Sequence, residues 1–159
     1  MKILIVYYSR HNHTKIVGDL IGKLLKGVVE EIIDIKDRSH LINWEKSVFD
    51  EELRTPTKIK PMKSNPKDFD LVIVGSPIWH GITPALRAYL KQNKGKFRKI
   101  ALFTTFSASA ENADYVVEKL SGKKPISVLG VQDRQIWMGE HKRLIREFCE
   151  RVKKLLNIY

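Results

Sequence analysis

Ile3-Leu4-Ile5-Val6-Tyr7-Tyr8-Ser9-Arg10-His11-Asn12-His13-Thr14 is the stretch whose reading decides the architecture of this chain. Met1 to Tyr8 is a near-continuous apolar run of strand length. From Thr14 to Leu25, residues Ile16, Val17, Leu20, Ile21, Leu24 and Leu25 recur at helical spacing. A buried strand therefore hands over to a helix through one short polar loop. Such a turn aims the helix's unpaired N–H groups and its positive dipole end at a single point, beside the hydroxyls of Ser9 and Thr14, an arrangement that suits a phosphate. The plainer reading is that Ser9 or Thr14 caps the helix. On this loop alone capping is the commoner outcome, so the choice rests on the remaining chain.

The 159 residues fit one domain, spanning 1–159, with 43% hydrophobic content and therefore enough material for a core without disulfide or metal staples. No window approaches the roughly 18 consecutive apolar residues of a membrane span, and the N-terminal apolar run is too short for a signal peptide. A cytoplasmic protein is expected. The single cysteine, Cys149, leaves no internal disulfide and no thiolate metal cluster; beside Phe148 on an amphipathic stretch it reads as core filler. The formal net charge of +11 raises anionic partners, but the lysines and arginines are spread over Lys58–Lys67, Lys91–Lys99, Lys123-Lys124 and the C-terminal stretch, usually near an acidic residue. Without a single basic stripe, nucleic acid is not expected, and an acidic protein is the more interesting partner.

Outward from the opening stretch, Val28 to Ile35 alternates and is rich in branched residues, and so reads as a second strand. Leu41, Ile42, Trp44, Val48, Phe49 and Leu53 suggest a helix from about Ser39 to Leu53; Pro56, Pro61 and Pro66 then make a non-helical connection. Asp70-Leu71-Val72-Ile73-Val74-Gly75 is the clearest internal strand. After the loop Ser76–Gly81, Thr83-Pro84 gives a helix start with threonine as N-cap and proline at the first helical position, and Leu86, Tyr89 and Leu90 face inward. Lys99–Phe106 is a fourth strand, followed by Ser107-Ala108-Ser109. A helix with Tyr115, Val116 and Leu120 inward ends at Gly122. Pro125–Val131 is the fifth strand, and a last amphipathic helix buries Leu144, Ile145, Phe148, Cys149, Val152, Leu155 and Leu156.

Five buried strands alternating with helices describe an α/β, three-layer, doubly wound parallel sheet covered on both faces. Ligands of such sheets sit beyond the carboxyl ends of the strands, where strand order reverses. The loops Ser9–Thr14, Ser76–Gly81 and Phe106–Ser109 follow strands one, three and four, and so meet at one edge. Three loops converging on one place favour a ligand over a mere helix cap.

The first loop offers hydroxyl, amide and backbone donors and fits a phosphate nest. It has neither the lysine of a Walker A loop nor the glycines of a dinucleotide fingerprint. The second carries Trp79 between stiff Pro77 and permissive Gly81; an exposed tryptophan there would stack on a planar heterocycle, the alternative being a ring folded back over the sheet edge. Gly81, lacking Cβ, has a peptide free to turn a carbonyl or an N–H toward a ring edge. In the third loop small residues suit a polar ring rim, while Phe106 either closes a ring face or belongs to the core.

These residues carry a family resemblance. Tyr7-Tyr8-Ser9-Arg10 through Thr14, Gly75-Ser76-Pro77-Ile78-Trp79 with Gly81 and Pro84, and Ala101-Leu102-Phe103-Thr104-Thr105 resemble the three cofactor loops of the flavodoxin-like family. The resemblance implies a five-stranded sheet of order 2-1-3-4-5 and bound flavin mononucleotide (FMN). It would give Ser9, Arg10, His11, Asn12, His13 and Thr14 the cofactor phosphate, held mostly through backbone. Pro77, Ile78, Trp79, His80 and Gly81 would flank the isoalloxazine, with Phe106 nearby and Ser107, Ala108 and Ser109 at its pyrimidine side. The Asn12-His13 pair departs from the small residues usual there, though asparagine tolerates the left-handed region. His13 either adds a phosphate donor or narrows the loop. The third loop lacks the stacking tyrosine of many electron carriers, and the basic charge reverses their usual acidity.

The function so implied is electron transfer by an FMN-binding protein, with no catalytic side chain and no metal required. The enzymatic alternative is a flavin-dependent oxidoreductase such as an NAD(P)H:quinone reductase or a protoporphyrinogen oxidase, in which His80 would donate to substrate or flavin. A third alternative is a basic binding module that carries no flavin. An acidic redox protein or a small quinone-like acceptor is the expected partner. Monomer and homodimer both remain open, with Trp137 and Met138 placed either as a dimer contact or as simple packing.

Overall fold

The computed structural model describes residues 1–36 and 57–158. The expected helix at Ser39–Leu53 and Pro56 lie outside the described residues. Apolar runs become five parallel strands: β1 (Ile3–Tyr7), β2 (Val28–Glu31), β3 (Leu71–Pro77), β4 (Ile100–Phe106) and β5 (Val128–Gln132). Their order is β2-β1-β3-β4-β5, as the resemblance implied, so the chain reverses direction across the sheet between β1 and β3. The helices are α1 (His13–Leu25), α2 (Pro84–Gln92), α3 (Ala113–Ser121), α4 (Asp133–Trp137) and α5 (His141–Leu155).

Strand alternation sorts the core into two layers. Leu4, Val6, Val72, Val74, Ile100 and Leu102 project to the side of α2 and α3, where they meet Leu86, Tyr89, Leu90 and Val117. Ile3, Ile5, Tyr7, Leu71, Ile73, Ala101 and Phe103 project to the other side and meet Val17, Ile21, Ile145, Phe148, Cys149 and Val152 of α1 and α5. The central strands are buried on both faces, which explains their continuous apolar reading.

The outer strands correct the expectation of five buried strands. In β2, Val28 and Val29 are exposed, and in β5 Val128 is exposed while Leu129 and Val131 are buried. An edge strand of this sheet has only one well-covered face: β5 alternates accordingly, while β2 leaves both Val28 and Val29 exposed. The second strand is also shorter than Val28–Ile35. Past Ile32, whose N–H still donates to Tyr7 O (2.7 Å), the chain leaves β1 and forms an antiparallel contact, in which Ile35 N–H donates to Lys58 O (3.0 Å) and Lys60 N–H to Ile33 O (2.9 Å). The proline-rich connection contains a 3-10 turn, Pro66–Asp68, with the Asn65 side chain accepting the Lys67 N–H.

Two helix faces need adjustment. In α3 Tyr115 is exposed and Val117 buried; in α5 Leu155 is exposed and His141, at the other end of the helix, is buried. Thr83 stands at the N-cap of α2 without capping it; its Oγ1 is turned to Ser76 Oγ at 3.0 Å. Gly122 ends α3 in the left-handed conformation, as expected. No helix among the described residues is long and apolar enough to cross a membrane.

Two close approaches fix the layers. A β-carbon on Gly75 would lie 2.0 Å from Phe103 Cζ, and one on Gly18 would lie 2.5 Å from Tyr7 Cδ1. Gly75 is therefore a packing requirement inside β3, which runs two residues past it to Pro77.

Candidate functional site

The carboxyl ends of β1, β3, β4 and β5 surround a cavity of about 330 Å³. Arg10, His11, His13 and Thr14 line it from the first loop, and Pro77, Ile78, Trp79 and His80 from the second. Thr105, Phe106, Ser107, Ala108, Ser109 and Glu111 complete a third wall, with Asp133 as the single contribution after β5. Ser9, Asn12 and Gly81 belong to the same loops but are not among the lining residues.

Loop one begins where β1 runs out of neighbours. Tyr8 N–H still donates to Gly75 O at 3.1 Å, and the chain then turns through Asn12 at φ 69° into α1. Asparagine is among the few residues that enter this region readily, which answers the question its position raised. Asn12 is the N-cap of α1, and Ser9 Oγ, three residues earlier, accepts the Lys15 N–H (3.2 Å), satisfying one backbone donor of the first turn. His13 and Thr14 open the helix, where backbone N–H groups lack intrahelical acceptors. Thr14 Oγ1 lies 2.8 Å from Thr105 Oγ1, a buried contact that pins the start of α1 to the end of β4. His13 Nδ1 lies 2.9 Å from Asp133 Oδ1, and the imidazole meets the Trp137 ring edge-on at 6.1 Å between centroids.

Loop two is held by Ser76, whose Oγ accepts the Thr83 N–H (3.1 Å) and donates to Pro77 O (2.7 Å). Trp79 N–H donates to Gly81 O at 2.7 Å, closing a tight turn in which His80 and Gly81 take φ of 50° and 113°. The Gly81 carbonyl is thus committed to its own loop. The expected exposed Trp79 is corrected as well: its ring is only 6% exposed, folded over the sheet edge and packed edge-on against Tyr8 at 5.5 Å. Burial of so large an apolar surface outweighs exposure of the ring on a loop. Trp79 nonetheless contributes to the cavity wall, with the Arg10 guanidinium 5.8 Å from its ring centroid.

In loop three, Phe106 is half-buried. Its ring lies across Gly130 of β5, where a β-carbon would meet it at 3.0 Å, so it serves both packing and cavity. Ser109 Oγ accepts the Glu111 N–H at 3.0 Å, and Glu111 sits at φ 51°.

Among the described residues five non-glycines have positive φ. Lys26 and Asn157 follow helix ends, an ordinary place for it. Asn12, His80 and Glu111 instead sit one in each cavity loop, where backbone strain concentrates at binding sites.

The lining contains one guanidinium, two carboxylates and three histidines, so it is net negative by one while the histidines are neutral. A chain of charge +11 therefore presents an acidic balance at its cavity. Next to the first loop, Tyr7 Oη donates to Asp19 Oδ1 (3.1 Å) and accepts from Lys15 Nζ (3.4 Å); burial, then the Asp19 carboxylate, push the Tyr7 phenol up to about 12.

Thr105, read with the third loop in the sequence, lines the cavity; Glu111 and Asp133 were missed by sequence reasoning. Asp133 carried a usable signal, since it stands just past the carboxyl end of a strand. The one-turn helix α4, stapled by reciprocal Gln132 and Gln135 side-chain bonds, was missed with them.

No family model and no curated protein matches the chain. Solved structures do. A protein of Bacteroides eggerthii superposes with a TM-score of 0.73 at 21% identity, covering 94% of this chain and 96% of its own. A flavoprotein in complex with FMN from Lactobacillus acidophilus gives 0.69 at 21% identity, covering 86% and 97%. Oxidised flavodoxin 2 from Bacillus cereus gives 0.57 at 17% identity, covering 97% and 99%. Together with the strand order, these likenesses establish that the chain has the flavodoxin-like fold.

Proposed function

We propose that the cavity binds FMN and that the protein transfers electrons through it. The observation that carries this reading is the convergence of three unrelated loops on one cavity of ligand size at the topological switch point of the sheet. The likeness to a structure solved with FMN supports it. The residues fit the group. The start of α1, with His13 and Thr14, suits the phosphate; Pro77, Ile78, Trp79 and Phe106 supply apolar and aromatic walls for a planar ring. Ser107, Ala108 and Ser109 form a small polar rim.

When bound, FMN supplies one- and two-electron chemistry. The chain's own residues bind and orient: β1, β3 and β4 fix the loops, Phe106 and Trp79 exclude water from the inner wall, and Arg10 lies against the indole. The basic exterior suits an acidic redox protein as partner, through attraction that steers encounter. The test is stopped-flow reduction of the FMN-loaded protein. A carrier exchanges electrons with a reductase or ferredoxin-like protein while oxidising NAD(P)H only slowly. Rapid NAD(P)H oxidation with quinone as acceptor would replace the carrier reading with the enzymatic one.

A further inference from the structure

We propose that His13, held by Asp133, is the residue that makes phosphate recognition in this cavity depend on protonation, so that the site holds a phosphomonoester more tightly while His13 is charged. The proposal rests on the FMN reading and deepens it.

An ionised carboxylate only accepts hydrogen bonds, so the 2.9 Å contact to Asp133 Oδ1 places a proton on Nδ1 of His13. Nε2 is then the ring nitrogen left for a ligand. In the neutral ring Nε2 carries a lone pair and repels a phosphate oxygen. In the cation it carries a proton and donates a charge-assisted bond. The pair's charge changes in step, from net negative to neutral. Histidine is the side chain whose charge ordinarily changes between pH 5 and 8.

The surroundings make this proton matter. Facing the same cavity are Arg10 and His11 from the first loop, His80 from the second, Glu111 from the third and Asp133 from α4. On α1 itself Lys15 is paired with Asp19 at 3.0 Å, and on α4 Arg134 Nε donates to Gln132 Oε1 at 3.1 Å. Among the described lining residues Arg10 is the one permanent cation beside two carboxylates, and an incoming phosphate adds up to two more negative charges. The His13 proton offsets the carboxylate nearest the start of α1. Asp133 acts as a positioning residue: it fixes the tautomer and the ring direction, and its own charge is what penalises the anion once His13 is neutral.

The experiment measures FMN and riboflavin affinities by flavin fluorescence quenching from pH 5.5 to 8.5, for the wild type, His13→Asn, His13→Gln and Asp133→Asn. Dividing wild-type by His13→Asn affinity at each pH removes the ionisation of the FMN phosphate itself. That ratio is expected to fall about tenfold from low to high pH, the worth of one charge-assisted bond. The ratio to His13→Gln should fall alike. Asp133→Asn should bind FMN several-fold more tightly at pH 8.5, and riboflavin, lacking the phosphate, should be indifferent to all three changes. A flat ratio with FMN still bound, or weaker FMN binding by Asp133→Asn at pH 8.5, overturns the proposal while leaving the cofactor reading intact. Failure of both flavins to bind at every pH overturns the cofactor reading and the proposal together.

Discussion

Thr14 and Thr105 share a buried hydrogen bond, Oγ1 to Oγ1 at 2.8 Å, across 91 residues of sequence. It joins the start of α1 to the carboxyl end of β4 and holds two cavity walls in register. Thr105→Val leaves the Thr14 hydroxyl buried without its partner and should destabilise the protein by about 1–3 kcal/mol in urea unfolding. The double variant Thr14→Val/Thr105→Val should cost less than the sum of the singles; additive costs would show that the two hydroxyls are not coupled.

The neighbouring residue should behave oppositely. Thr104 Oγ1 is fully buried and has no hydrogen-bond partner among the described residues. Thr104→Val keeps the shape and removes that unsatisfied hydroxyl, so it should be neutral or stabilising by about 1 kcal/mol. A loss comparable to that of Thr105→Val would mean that the hydroxyl is satisfied in solution.

Gly75 and Phe103 are matched by shape. A methyl group at position 75 would stand 2.0 Å from Phe103 Cζ, in a layer where neither strand is free to shift. Gly75→Ala is expected to cost about 1–3 kcal/mol, and Phe103→Leu in the same chain should recover part of it. Thermal melts of the single and double variants decide this.

Cys149 is 1% exposed, and burial pushes its thiol up to about 11. A thiol reagent should leave the folded protein unmodified at pH 8 and label it fully after unfolding. Because the folded pKa lies above the ordinary thiol value, this group's contribution to stability is complete below about pH 9 and is lost as pH rises through about 11. Tyr7, raised to about 12, acts in the same direction at still higher pH. Stability rising with pH over that window would contradict both.

The excess of lysine and arginine bears on redox potential. Positive charge nearby stabilises the reduced, more negative flavin, although charges beyond about 8–10 Å are largely screened at physiological salt. Glu111 and Asp133 line the cavity and act in the opposite sense at shorter range; a role for the basic surface predicts a potential less negative than that of acidic carriers of this fold in a spectroscopic redox titration, falling as salt is added. A potential as low as theirs would exclude a role for the basic surface.

The fold was legible because β1, β3 and β4 are buried on both faces and read as uninterrupted apolar runs. β2 and β5 were legible as strands but not as edges, since their exposed Val28, Val29 and Val128 are as apolar in sequence as the buried residues of a central strand. The expectation that loops one, two and three meet at one sheet edge followed from the rule that loops at strand carboxyl ends converge there, and all three line one cavity. Trp79 was placed on the right loop with the wrong exposure, because a loop sequence does not reveal that Tyr8 offers its ring a packing surface. Asp133 escaped notice for a different reason. Its significance lies in a contact with His13 made 120 residues away, which no local pattern encodes.

The visible absorption spectrum of the purified protein, followed by acid extraction of any chromophore, tests the central claim most directly. A yellow protein that releases FMN in near-stoichiometric amount, or a colourless one that becomes yellow and stays so through gel filtration after incubation with FMN, is the expected result. A protein that remains colourless after that incubation contradicts it.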